Sequence, residues 1–231
     1  MRQIAAALLI AISGVVADAQ QGPPFDSAQA KPPGPGIAVR PLFDNPSVGV
    51  ARLLLLPGAR EMPHTHEYPL LIVSISRGDV EFLKGTATNR SMWQIGDLQL
   101  VERDVRHAGA NMGTMPVEAL AISIKPDRVK GGTAPPLPRP AGITATDVLD
   151  SADAAVRRVE LAPGAREVPH THPYDFVVVP VVSGRMEVQL AGKTETKDYA
   201  PGDAFFIARN TPHAVANAGK TPFALLGVTI K

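Results

Sequence analysis

The sequence contains no cysteine at all. The chain can therefore form no disulfide, offer no thiolate to a metal and use no cysteine nucleophile. Aromatic residues are also scarce, at 5% of the chain, which argues against a stacking platform for sugars or bases. The formal net charge is only +1, and lysine and arginine form no cluster along the chain. We therefore expect no nucleic-acid partner, and stability that comes from packing.

Sequence motifs for nucleotide cofactors and for covalent catalysis are missing as well. No glycine-rich phosphate-binding loop and no nucleophile-elbow serine occurs, so no organic cofactor and no catalytic nucleophile is predicted.

One apolar run stands out at the N-terminus. Arg2 precedes the apolar stretch 4–16, and Ala17-Asp18-Ala19 has the small residues of a signal-peptidase site. The stretch is shorter than the ~20 residues that span a bilayer. We expect residues 1–19 to be a cleaved signal peptide and the mature protein to be periplasmic or secreted, without membrane attachment. A retained anchor or a first core helix is the alternative.

What the chain does contain is an internal duplication. The segment 55–66 reappears as 161–172, and this offset of 106 residues holds without a gap to the C-terminus. The repeat predicts two domains, 42–125 and 148–231. Proline-rich stretches precede each of them, and we expect 20–41 to be an N-terminal arm and 126–147 to be the linker between the domains.

Each repeat unit has the pattern of an all-β domain. The stretches 70–75 and 176–182 are nearly continuous apolar runs of strand length, whereas 80–82 and 186–188 alternate between apolar and polar residues. No window shows a sustained helical pattern. Short strands at regular spacing predict a sandwich or barrel.

All six histidines of the chain fall into two copies of one pattern, His-x-His followed 41 residues later by a third histidine. Residues i and i+2 of a strand share a face, so each His-x-His pair would project from one wall and a distant strand would complete the set. Three imidazoles suit Fe, Mn, Zn, Ni or Cu and leave coordination positions open. The alternative is loop or core histidines retained after duplication. The predicted metal ligands are His64, His66, His107, His170, His172 and His213.

These residues resemble the two motifs of the cupin superfamily. Gly58-x5-His64-x-His66 is similar to the first motif, and Gly96-Asp97 with His107-x3-Asn111 is similar to the second. The second unit matches the second motif more fully, with Pro201-Gly202-Asp203 and Thr211-Pro212-His213-x3-Asn217. The resemblance implies two tandem cupin jelly-roll β-barrels, a bicupin, joined by the proline-rich linker.

The chain departs from the cupin pattern at one position. The first motif normally has a glutamate four or five residues after its second histidine, where this chain has Leu70 and Leu71 in one unit and Phe176 and Val177 in the other. Glu67 and Asp175 lie nearby at other spacings and are not assigned as ligands, although Asp175 stays open. A divalent ion held by neutral imidazoles alone would keep its full charge.

The resemblance leaves the function open between two classes. Three-histidine cupins include oxygenases that act on small organic molecules, so a metal-dependent, dioxygenase-like oxidoreductase is one hypothesis. A non-catalytic periplasmic module that binds a small molecule or metal is the other. If only one site is active, the second unit has the fuller motif. A homodimer also stays open.

Arginines near the histidines are candidates for substrate binding. Arg60 and Arg166 precede their His-x-His pairs by four residues, so at strand spacing they would share a face with them and could bind a carboxylate. The alternative is a contact at the barrel rim or in a turn.

Overall fold

The computed structural model of the protein describes residues 34–126 and 140–231, which form sixteen β-strands and no helix. No helix in these two ranges is thus long and apolar enough to cross a membrane. The predicted signal peptide and most of the predicted arm and linker lie outside the described residues.

The strands form two groups of eight that follow the sequence repeat. The first group is β1 (Ile37–Asp44), β2 (Val48–Leu55), β3 (Leu70–Ser74), β4 (Gly78–Lys84), β5 (Ala87–Trp93), β6 (Leu98–Val101), β7 (His107–Asn111) and β8 (Val117–Ile124). The second is β9 (Ile143–Asp150), β10 (Ala154–Leu161), β11 (Asp175–Pro180), β12 (Gly184–Leu190), β13 (Lys193–Tyr199), β14 (Phe205–Ile207), β15 (His213–Asn217) and β16 (Phe223–Ile230).

Both groups have the same sheet topology. A five-stranded sheet, in the order β1-β2-β8-β3-β6, faces a three-stranded sheet in the order β5-β4-β7. The second group repeats this with β9-β10-β16-β11-β14 and β13-β12-β15, and every strand pair is antiparallel. The prediction of two all-β jelly-roll barrels is confirmed. We call them the first and the second barrel.

Each barrel begins five residues earlier than the repeat predicted. Strand β1 starts at Ile37 rather than at residue 42, and β9 starts at Ile143 rather than at residue 148. Pro41 lies inside β1, where the pairing with β2 shifts register between Pro41 and Phe43. A proline is tolerated there because β1 is the edge of its sheet. The first strand of each barrel thus includes residues that the proline content assigned to the arm and the linker.

The two barrels pack against each other through their five-stranded sheets. In β3, Leu70 and Ile72 belong to the core of the first barrel, whereas Leu71 and Val73 join a cluster that includes Val177 of the second barrel. Strands β3 and β11 are thus buried on both faces, which explains why their sequences are continuously apolar rather than alternating. We call this shared cluster the inter-barrel core.

Close contacts between turns and strands also join the barrels. A Cβ added at Gly202, which has a φ of +86°, would lie 2.5 Å from Cδ1 of Ile75 in the other barrel. In the repeat-related contact, Val181 lies beside Gly96 of the first barrel. Glycine is needed at residue 202 because the turn has a left-handed conformation and leaves no room for a side chain.

The motif asparagines Asn111 and Asn217 are structural. Asn217 is 2% exposed, and its Nδ2 donates to the carbonyls of Leu161 at 2.9 Å and Thr221 at 2.7 Å. Its Oδ1 accepts from the amide of Gly219 at 2.9 Å, and Asn111 makes the matching three bonds in the first barrel. Both asparagines therefore satisfy buried backbone groups of their own barrel.

Candidate metal centres

Backbone pairing places the first and third histidines of each trio side by side. His64 lies in the segment between β2 and β3, and it pairs with His107 at the start of β7 through two backbone hydrogen bonds of 3.0 and 2.9 Å. His170 and His213 make the same pair, with two bonds of 2.9 Å. The sheet ladder therefore fixes two of the three ligands in register.

The second histidine of each trio completes a convergent set. Nε2 of His64 and Nε2 of His66 are 3.1 Å apart, and those of His170 and His172 are 3.2 Å apart. Within each trio, one ligand atom of each histidine lies within 4.8 Å of the others. The structure thus brings all six predicted histidines together as two separate trios.

Hydrogen bonds fix the orientation of most of these rings. Nδ1 of His64 lies 2.9 Å from the carbonyl of Met62, and Nδ1 of His213 lies 2.9 Å from that of Thr211. His107 and His170 bond to the carbonyls two residues before them in the same way, at 3.3 and 2.9 Å. Because a carbonyl can only accept, Nδ1 carries the proton and Nε2 keeps its lone pair for a metal. The donor sets therefore fit a divalent transition metal.

Burial keeps several of these imidazoles neutral. It lowers the pKa of His66 and His107 to about 4, with the charge of His64 adding to the effect. It also lowers the pKa of His172 to about 4 and that of His213. At neutral pH these rings are therefore neutral imidazoles even without a metal, and the neutral form is the one that binds a metal ion.

No carboxylate takes the place of the missing cupin glutamate in either trio. Asp175 is buried, but its carboxylate accepts from the amide of Arg209 at 2.8 Å and pairs with the guanidinium of Arg209 at 3.2 Å. Among the described residues, neither Asp175 nor Glu67 belongs to a group that could hold a metal. Phe176 stands at the glutamate position and stacks on His172, with ring centroids 4.8 Å apart and planes at 11°.

Two glutamates that recur in the repeat lie close to the trios. Oε2 of Glu61 accepts from the amide of Gly109 at 2.6 Å, and Oε2 of Glu167 accepts from the amide of Val215 at 3.0 Å. Burial raises the pKa of both carboxyls, against the opposing effects of these hydrogen bonds and of the neighbouring His64 and His170. Their recurrence in the repeat does not by itself distinguish them from ordinary turn contacts.

The structure directs the two candidate arginines toward other partners. Nη1 of Arg60 pairs with Oε1 of Glu81 at 2.9 Å, and Nη1 of Arg166 pairs with Oε1 of Glu187. Both arginine side chains are 57% exposed. Each guanidinium is thus held by a glutamate of the adjacent three-stranded sheet.

The second trio opens onto a cavity of about 370 Å³. Its wall contains His170, His172, His213, Glu167, Tyr174 and Arg157. Tyr174 is 2% exposed. Two charged residues of this wall, Glu167 and Arg157, were not identified from the sequence. A signal was present, because Arg157 is a charged residue on the same face of strand β10 as the apolar residues Val159 and Leu161.

Comparisons with known proteins agree with this architecture. The profile of the cupin domain matches residues 157–229, inside the second barrel. A germin-like protein, subfamily 2 member 2 of Arabidopsis thaliana, is 36% identical over 81 residues, which cover 34% of this chain and 37% of the plant protein. The match thus spans just over a third of that relative's own length.

Solved structures share the fold over most of the chain. AerE from Microcystis aeruginosa superposes with a TM-score of 0.70 at 12% identity, covering 85% of this chain and 93% of AerE. Salicylate 1,2-dioxygenase from Pseudaminobacter salicylatoxidans superposes with a TM-score of 0.67 at 13% identity, covering 86% and 78%. A variant of that enzyme has been solved in complex with gentisate. The second barrel thus matches the cupin domain, and the chain shares its two-barrel fold with these solved structures.

Proposed function

We propose that each barrel binds one divalent transition-metal ion through its three histidines, and that the protein is a metal-dependent, dioxygenase-like oxidoreductase. Its substrate is a small organic molecule that enters the cavity of the second barrel. The observation that carries this proposal is the convergence of one ligand atom from each of three histidines, two of them oriented by backbone carbonyls, on the wall of a cavity of about 370 Å³.

The donor set defines what a bound metal would contribute. A divalent ion held by neutral imidazoles would supply an undiminished positive charge to polarise a ligand. The chain itself supplies ring orientation through the Nδ1 contacts, and Phe176 covers one face of His172 and excludes water there. Glu167 adds a carboxyl group to the cavity wall.

The similarity to salicylate 1,2-dioxygenase supports an oxygenase, because that enzyme has the same fold over most of this chain. At 13% identity the shared feature is the fold, so the reaction type is part of our proposal. A non-catalytic binding module would use the same histidines without consuming a substrate. Oxygen uptake by the metal-loaded protein with a panel of small organic acids separates the two classes, since a binding module consumes none.

Metal ligation is tested by paired variants. His170→Ala with His172→Ala should remove one metal equivalent per chain, as measured by elemental analysis, and leave the metal of the first barrel bound. The matched variant, His64→Ala with His66→Ala, should remove the other. Unchanged metal content in both variants would rule out histidine ligation, and loss of both metals from either would show that the sites depend on each other.

We also propose that the protein is exported and works in the periplasm or outside the cell. The support is the apolar stretch 4–16 followed by Ala17-Asp18-Ala19. N-terminal sequencing of protein isolated from its native cells should begin at Gln20. A sequence that begins at Met1 in protein from the cytoplasm would contradict export.

A further inference from the structure

The second barrel contains an inward-pointing arginine that the first barrel lacks. We propose that Arg157 binds the carboxylate of the ligand, so that the second barrel selects small carboxylates and the first does not. This inference rests on the proposed function, because it assigns a ligand class to the cavity that contains the second histidine trio.

The direction of Arg157 follows from strand alternation. In β10, Val159 and Leu161 pack in the core of the second barrel, whereas Ala154 and Val156 lie in the inter-barrel core. Arg157 has the parity of Val159 and Leu161, and it lines the cavity. The Arg157 side chain is 41% exposed, so its guanidinium lies beside the cavity in partial contact with solvent, where a ligand can reach it.

The known partner of Arg157 leaves donors for a ligand. Nε of Arg157 pairs with Oδ1 of Asp147, its cross-strand neighbour on β9, at 2.6 Å. This ion pair uses the inner nitrogen of the guanidinium, which has two further nitrogens at its end. The Asp147 side chain is 68% exposed, so water can take over its hydrogen bonds when a ligand arrives. A guanidinium can bind both oxygens of a carboxylate at once.

Arg157 shares its cavity with the histidine trio. Its side chain and those of His170, His172 and His213 line the same wall. A metal ion on the trio would add a second positive charge to the same cavity. The two charges together favour an anionic ligand.

The remaining wall defines the rest of the ligand. Phe176, Val178, Ile207 and Leu225 line the same cavity and form its apolar side. A ligand that satisfies both sides carries a carboxylate on an apolar body. The geometry therefore indicates small apolar carboxylic acids rather than sugars or polyols.

The first barrel cannot hold a carboxylate in this way. Ala51 stands at the position of Arg157 and is fully buried, and Pro41 stands at the position of Asp147. A lysine–aspartate ion pair nearby is present in both barrels, as Lys125–Asp44 in the first and Lys231–Asp150 in the second. This ion pair therefore does not distinguish the two barrels. The Arg157–Asp147 pair is the charge difference between the two inner walls.

Calorimetric titration of the metal-loaded full-length protein with benzoate tests the proposal. We expect one benzoate per chain, with benzamide, its uncharged analogue, binding at least about tenfold more weakly. Arg157→Met keeps the apolar stem and should weaken benzoate binding by about tenfold or more. Asp147→Asn releases the guanidinium and should tighten binding by roughly two- to fivefold, the equivalent of one exposed ion pair.

A control variant and a measurement of metal content separate the possible outcomes of this titration. Arg185→Met removes an exposed arginine of β12 that pairs with Asp198, and it should leave benzoate affinity unchanged. Metal content and thermal midpoint are measured on every sample. Unchanged benzoate affinity in folded Arg157→Met, or two equal benzoate sites per chain, would overturn the inference while leaving metal binding intact. Absence of metal in the wild type would instead overturn the proposed function, and the effect of Arg157→Met on benzoate binding would still decide the inference.

Discussion

The two barrels have the same arrangement of three histidines but different inner walls. Both keep three histidines, the buried glutamate beside them and the asparagine that satisfies three backbone groups. Inside the second barrel, however, Arg157 replaces Ala51 and Val215 replaces Gly109. Within this chain the histidine trios and their supporting residues are therefore unchanged, whereas the inner walls have diverged. Under the proposed function, the wall rather than the trio would select the ligand.

A coupled pair of residues illustrates this divergence. Phe176 stacks on His172, and a Cβ added at Gly227 would lie only 2.4 Å from Cζ of Phe176. The first barrel has Leu70 and Ala121 at the same two positions. A larger residue on one strand is thus accommodated by a smaller one on its neighbour.

The largest expected effect comes from the part of the structure that the barrels share. Leu120 and Leu226 are repeat-related, 0% and 1% exposed, and both lie in the inter-barrel core. We expect Leu120→Ala and Leu226→Ala to lower the free energy of unfolding by similar amounts, about 2–5 kcal/mol each, because each leaves a cavity in the same cluster. Urea unfolding measures the change. Leu56→Ala, at a 44% exposed position, is the control with little effect, and strongly unequal costs would show that the interface is not symmetric.

A second substitution tests the coupled pair. Gly227→Ala should cost about 1–3 kcal/mol and lower the metal affinity of the second barrel, because the new methyl group displaces Phe176 from His172. Adding Phe176→Leu recreates the combination of the first barrel and should recover part of the loss. Calorimetric metal titration and urea unfolding follow both quantities. A double variant no better than Gly227→Ala alone would show that the two positions are independent.

The buried histidines of both trios should make the stability of the metal-free protein depend on pH. The unfolded chain has a histidine pKa of ~6.5, whereas burial lowers the pKa of His66, His107 and His172 to about 4. Between these values the unfolded state binds more protons, so the metal-free protein should lose stability as pH falls from 6.5 toward 4. The slope is at most about 1.4 kcal/mol per pH unit for each histidine. Urea midpoints at pH 7, 6 and 5 measure it.

The buried glutamates act in the opposite direction and supply the control. Because burial raises the pKa of Glu61 and Glu167, their contribution favours the folded state at low pH and is lost as pH rises. Glu61→Gln with Glu167→Gln removes this offset and should make the acid-dependent loss steeper. Midpoints that do not change between pH 7 and 5 in either protein would contradict the role of the buried rings.

The smallest effect is expected from the exposed arginines. Arg60→Ala and Arg166→Ala each remove one surface ion pair and should change the free energy of unfolding by less than about 1 kcal/mol. They should also leave benzoate affinity unchanged. A tenfold loss in Arg166→Ala would mean that Arg166, rather than Arg157, selects the ligand of the second barrel.

The sequence predicted the repeated, all-β organisation and the members of both histidine trios. The trios could be predicted because His-x-His spacing and the 106-residue repeat are properties of the chain itself. For Arg60 and Arg166, in contrast, strand spacing did not predict the direction of the side chain. The expected shared face required regular strand between arginine and histidine, but only isolated bridges occur there, and the arginines turn to Glu81 and Glu187. Arg157 was missed because a strand pattern alone does not show that a cavity lies inside the barrel.

The inter-barrel core has a consequence for how the chain associates. The positions that face the other barrel are apolar in both halves. Repeat-related examples are Leu71 and Val177, Val73 and Val179, and Ile122 and Val228. A single barrel would leave this apolar face open to solvent or to another protein chain. The duplicated chain covers it internally, with one barrel against the other.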